Sequence, residues 1–218
     1  MNKIDFLKEN YIFLRVPFWR FGAVIDMGEL KTELVRKTIH FLIALSPGMA
    51  AVNRPFTVAL LMIGILFYTC MENFRLSGRA IPLISSITAM AARTRDQGRF
   101  VLGPVTLGLG ALLSLLLYPS PAASIAIYAL AFGDGFASLV GKFFGCLHPV
   151  FMLGKSVEGS AACFVAVLIA AHAVSGNFGL AFLAAITAMV VEALPLEDYD
   201  NIALPITVGF AAQIFMMV

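Results

Sequence analysis

The chain has 218 residues, 60% of them hydrophobic and 13% charged, with a mean hydropathy of +0.91. That charged share is about half the usual value, which excludes an ordinary soluble domain and reads as a polytopic membrane protein of one domain. The formal net charge of +2 gives no basis for nucleic-acid binding, and the 3 cysteines (Cys70, Cys146, Cys163) show no CxxC or Cys/His spacing for zinc or a disulfide framework.

Residues 1–30 mix aromatic rings (Phe6, Tyr11, Trp19) with Lys3, Lys8, Arg15 and Arg20. This pattern predicts a segment lying on the membrane surface, ahead of a transmembrane catalytic domain over 31–218. Its early charges exclude a signal peptide. Glu33, Arg36, Lys37 and His40 then fall on one helical face just before the apolar run 41–52. Ordinary flanking charge explains much of this cluster, but His40 lies a full turn inside the span, and a phosphate or substrate contact is expected there. A second span is predicted over 55–71. The apolar stretch 80–92 falls short of the roughly 20 residues a span needs, so it reads as one interfacial or re-entrant helix between arginines. Further spans follow over 100–117, 122–142, 158–174, up to Glu192, and 201–218.

The expected fold is therefore an all-α transmembrane bundle of about seven spans. Basic residues flank alternate loops, which places the N-terminus in the cytoplasm of a multi-pass protein of the cell (inner) membrane. On that topology nearly every polar group near the bilayer converges on one face.

The densest stretch is 131–160. Asp134 follows a long uncharged run, and a carboxylate in hydrocarbon is expected to face protein, water or a cation. Gly133, Ala137, Gly141 and Gly145 make a small-residue stripe for close helix packing, with Asp134, Ser138 and Lys142 on the neighbouring stripe. Plain membrane packing and a structural Asp134–Lys142 ion pair are the simpler explanations. Gly154-Lys155-Ser156 opens a new helix whose N–H groups suit an anion. A P-loop is excluded, because the first glycine of that pattern is replaced by Pro149. At the far end, Pro205 cannot bond the Asn201 carbonyl, which is expected to be free beside Asp200.

Together these residues offer hard oxygen ligands for Mg²⁺ (Asp134, Glu158, Glu192, Asp200, Asn201) and cations for phosphate (Arg36, Lys37, Lys142, Lys155). Metal and lysine around a phosphate are the components of phosphoryl transfer, and the acceptor for a chain this apolar is expected to be a lipid.

RKTIH at 36–40, GDGFASLVGKFFG at 133–145, GKSVEGS at 154–160 and the Glu192…Asp200-Asn201…Pro205 ending resemble the dolichol kinase/phytol kinase family. The resemblance runs in order from about residue 30 to 210 and leaves residues 1–30 outside it. It implies a polytopic, Mg²⁺-dependent kinase that uses CTP to phosphorylate an isoprenoid alcohol, with the nucleotide near Gly133, Gly135, Lys142, Lys155, Ser156, Glu158 and Ser160. The preference for CTP comes from the resemblance alone. The larger eukaryotic dolichol kinases carry extra N-terminal spans, so polyprenol, phytol or a similar alcohol is the nearer expectation. On this reading Asp134 ligates Mg²⁺ and Lys155 and Lys142 hold the phosphates. Asp200 and Asn201 complete the metal shell or orient the alcohol, Glu158 ligates metal or caps its helix, and either His40 or Asp200 deprotonates the alcohol. A homodimer is left open. The competing readings are a CTP-dependent diacylglycerol kinase, a phosphatidate cytidylyltransferase, a small-solute transporter and a non-catalytic membrane subunit. The one-sided charge and the absence of an internal repeat count against a transporter.

Overall fold

The computed structural model describes residues 27–79, 98–149, 152 and 154–217. Most of the expected surface segment 1–30 and the short helix over 80–92 lie outside the described residues. Among those described there is no strand. The elements are α1 (Met27–Leu42), α2 (Leu45–Leu76), α3 (Gly103–Leu117), α4 (Ala122–Tyr128), a π-helical turn (Ala129–Asp134), α5 (Gly135–Phe144), α6 (Val157–Ser175), α7 (Phe178–Glu192), a 3₁₀ turn (Glu197–Tyr199) and α8 (Asp200–Met217).

Lys31–Leu76, Ala122–Phe144, Val157–Ser175 and Glu197–Met217 are long and apolar enough to cross a membrane, and Gly103–Leu117 and Phe178–Glu192 are shorter apolar helices. Large apolar side chains such as Leu66, Phe144, Ile169, Phe178 and Phe210 are exposed around the outside. In water this belt would be costly; against acyl chains it is the expected surface of an integral membrane protein.

The two separate spans expected over 41–52 and 55–71 give way to one helical stretch, Leu45–Leu76, kinked at Asn53, where the backbone takes φ −151°, ψ 96°. Asn53 Oδ1 accepts from Phe56 N at 3.0 Å and so caps the second half, where Pro55 sits in the first turn and needs no N–H partner. Arg54 donates to the Leu115 and Tyr118 carbonyls, satisfying the open C-terminus of α3. At the Gly176-Asn177 turn, Gly176 takes φ 66° and the Asn177 side chain caps α7 through Leu180 N.

The middle of the bundle is built from alanine. Ala111, Ala126, Ala129, Ala181, Ala184, Ala188 and Ala212 are fully buried, which lets the helices approach closely where apolar transfer drives nothing. α6 packs on α5 and α7, while α8 packs on α3, α4 and α7. The expected small-residue stripe is used as the seam between α5 and α6. A Cβ on Gly159 would stand 2.7 Å from the Ala137 carbonyl and 3.3 Å from Gly141 Cα. The π turn adds a residue to the helix just before Asp134, re-aiming that side chain toward α1, a use typical of π-bulges at functional sites.

Candidate functional site

Five separate stretches meet in a cavity of about 380 Å³. α1 brings Glu33 and Arg36. The π turn and α5 bring Asp134, Ser138 and Lys142. The loop into α6 brings Gly154, Lys155 and Ser156, and α6 itself brings Ser160. The end of α7 brings Glu192, and the turn into α8 brings Glu197 and Asp200.

Local rules explain how several of these are placed. Gly154 has φ 99°, a left-handed turn that glycine accepts without strain, and it aims Lys155 into the cavity. Ser156 is the N-cap of α6, its Oγ accepting from Gly159 N at 3.1 Å. Glu197 has φ 55°, an unusual conformation for a side-chain-bearing residue, and it begins the turn that ends at Asp200.

Carboxylate oxygens of Asp134, Glu192 and Asp200 lie within 4.8 Å of one another. Lys155 Nζ donates to the Glu192 backbone carbonyl and to its Oε1 at 3.1 Å, and stands 3.7 Å from Asp200 Oδ2. Asp134 Oδ2 accepts from Lys37 Nζ at 2.5 Å, and His40 Nδ1 lies 2.8 Å from the same oxygen without hydrogen-bond alignment. Arg36 pairs with Glu33 at 2.6 Å. The cavity wall carries the carboxylates Glu33, Asp134, Glu192, Glu197 and Asp200 against the cations Arg36, Lys142 and Lys155, a surplus of negative charge. Buried Glu192 Oε2, Ser160 Oγ and Arg36 Nε have no hydrogen-bond partner among the described residues. Buried polar atoms are normally satisfied, so these orphans facing one cavity mark a place for a polar ligand. Three close carboxylates with an unused oxygen fit a hard divalent cation such as Mg²⁺, which binds through few carboxylates and keeps water or phosphate oxygens.

The structure brings together Asp134, Glu192, Asp200, Lys155, Lys142, Arg36, Ser156 and Ser160, as expected. Other expected members stand elsewhere. Lys37 is fully buried against Asp134 and is no part of the cavity wall, so it meets no phosphate there; it takes the ion-pair role expected of Lys142. His40 lies against Asp134 and is not among the residues that line the cavity. Glu158 is spent on the Leu147 N–H, at 3.1 and 3.3 Å, rather than on the acidic group or its own helix start. Asn201 donates from Nδ2 to Thr106 Oγ1 at 3.0 Å and its carbonyl abuts Gly110 of α3, while its buried Oδ1 has no hydrogen-bond partner among the described residues. Gly133 packs on Val167 and Cys163, and Gly135 on Phe41, so both make room for helices instead of a nucleotide. Glu33 and Ser138, which the spacing had put beside Arg36 and Asp134, also line the cavity, and His148 and Glu197 line it beyond the expected set. Nothing in the sequence signals His148.

No family model matches the chain, and no solved structure matches it. The chain is 28% identical over 225 residues to the "probable phytol kinase, chloroplastic" of Triticum aestivum, an alignment covering 88% of this chain and 70% of that one. The similarity supports a phytol kinase-like family. A second plant relative, "probable phytol kinase 1, chloroplastic" of Oryza sativa subsp. japonica, is 29% identical over 150 residues, 61% of this chain and 46% of its own. An uncharacterized protein of Methanocaldococcus jannaschii is 27% identical over 186 residues, covering 82% of this chain and 91% of that one.

Proposed function

We propose that the chain is a Mg²⁺-dependent kinase that moves the γ-phosphoryl group of CTP to the hydroxyl of a membrane isoprenoid alcohol, at the cytoplasmic face of the cell membrane. The observation that carries this reading is the meeting of Asp134, Glu192 and Asp200 with Lys155 in one half-enclosed cavity. The plant relatives named as phytol kinases supply the acceptor class. The donor nucleotide rests on the motif resemblance, and the orientation on the cytoplasmic placing of basic loops.

Asp134, Glu192 and Asp200 would hold the Mg²⁺. Bound there, it neutralises phosphate charge and polarises the transferring group. Lys155, Lys142 and Arg36 bind phosphate oxygens, and the orphaned Arg36 Nε and Ser160 Oγ are donors for the same ligand. The alcohol oxygen forms the new bond to the γ-phosphorus while the bond to the β–γ bridging oxygen breaks and CDP leaves. The hydroxyl proton passes to the Asp200 oxygen left free of the metal, since Asp200 lines the cavity where His40 does not.

The test is purified protein in nanodiscs with γ-labelled CTP, ATP and GTP and a panel of farnesol, phytol, undecaprenol and diacylglycerol. Label is expected on an isoprenoid alcohol, from CTP, and only with Mg²⁺. Cytidine retained on phosphatidate with release of pyrophosphate would instead make it a cytidylyltransferase. Absence of any transfer, with solute flux in liposomes, would favour a transporter.

A further inference from the structure

We infer that Lys37 is a positioning residue for the metal site: it commits one oxygen of Asp134 to α1, so that the other is the oxygen offered to the cavity. This rests on the proposed Mg²⁺ reading and adds to it how the ligand is set.

A lysine with 1% of its side chain exposed and no place in the cavity wall cannot serve a phosphate there. Its ammonium stands 2.5 Å from Asp134 Oδ2, across 97 residues of sequence. His40 Nδ1 crowds the same oxygen at 2.8 Å. The other oxygen, Oδ1, has the Ser138 hydroxyl at 3.5 Å, and Ser138 lines the cavity. The terminal torsion of an aspartate is soft, so without a fixed partner the carboxylate would swing. Lys37 removes that freedom. Lys37 and Arg36 are neighbours on α1, so the helix that contributes Arg36 to the cavity also sets the Asp134 ligand behind it. Groups behind a metal ligand that fix its orientation typically change metal affinity about 10–100-fold when removed.

The sign of the effect separates positioning from charge. Lys37 is a cation near the metal. If it only neutralised Asp134, its removal would tighten divalent-cation binding. If it positions Asp134, its removal weakens binding.

The experiment is titration of the full chain in nanodiscs with Mn²⁺ alone, free Mn²⁺ being read by electron paramagnetic resonance, so no turnover is needed. Lys37→Met is expected to raise Kd about 10–100-fold. An unchanged or lower Kd overturns the positioning role. Lys37→Arg keeps the charge and serves if the methionine variant does not fold. It is expected to weaken binding several-fold, and an unchanged Kd again overturns the proposal. Failure of the unaltered chain to bind Mn²⁺ overturns the metal reading and this one together. Binding by the unaltered chain with no loss in the variants overturns this one alone.

Discussion

The Lys37–Asp134 pair sets up a double-variant cycle. Lys37 has 1% and Asp134 7% of its side chain exposed, so removal of either leaves the other charge largely desolvated. For a pair this buried, loss of one partner costs about 3–5 kcal/mol, against about 0–1 kcal/mol for an exposed pair. Asp134→Asn and Lys37→Met are each expected to lose stability in the first range. The double variant Lys37→Met/Asp134→Leu orphans no charge and is expected within about 1–2 kcal/mol of the unaltered chain, a large favourable coupling between adjacent sites. It is also expected to bind no Mn²⁺ and transfer no phosphate, because the ligand is gone. Denaturant titration in mixed micelles, followed by circular dichroism and tryptophan fluorescence, measures the stabilities. Additive losses in the double variant, or a cost below about 1 kcal/mol for Asp134→Asn, would refute the claim of a desolvated pair.

Lys155→Ala is expected to lower label transfer about 100–1,000-fold by removing a phosphate donor, yet to tighten Mn²⁺ binding, because Glu192 and Asp200 lose the ammonium they now share. Labelled-CTP turnover and Mn²⁺ titration check the two halves separately. Glu158→Ala is expected to cost about 1–3 kcal/mol through the abandoned Leu147 N–H and to leave Mn²⁺ affinity unchanged, as its carboxylate stands outside the acidic group. Gly159→Ala is expected to cost about 1–3 kcal/mol in unfolding titrations, since its Cβ would meet the Ala137 carbonyl at 2.7 Å. Gly64→Ala, whose Cβ meets nothing within 4 Å, is the control expected to hold or gain stability.

Much of the architecture follows from local chemistry. Hydrophobic runs and their flanking turns placed α3, α6 and α8 within a few residues, because apolar length and Pro/Gly/Asn punctuation act along the chain. The α5–α6 seam was legible for the same reason: a residue every four positions marks one helix face. The site was legible as a set of scarce charges, since each buried ionisable group in so apolar a chain needs a partner. Their pairing was not. Helical spacing offered Lys142 to Asp134, while the structure chose Lys37 from α1, re-aimed by a π turn that no composition signals.

By itself the sequence determined that the chain is helical and membrane-embedded, and it singled out Asp134, Lys155, Glu192 and Asp200 as residues too polar to be idle. Only the tertiary structure decided which of the polar groups share a cavity and which serve neighbouring helices, as Glu158 serves Leu147 and Asn201 serves Thr106. The reason is physical: periodicity fixes the face a side chain takes on its own helix, but the partner across that face is set by which helices dock and at what depth.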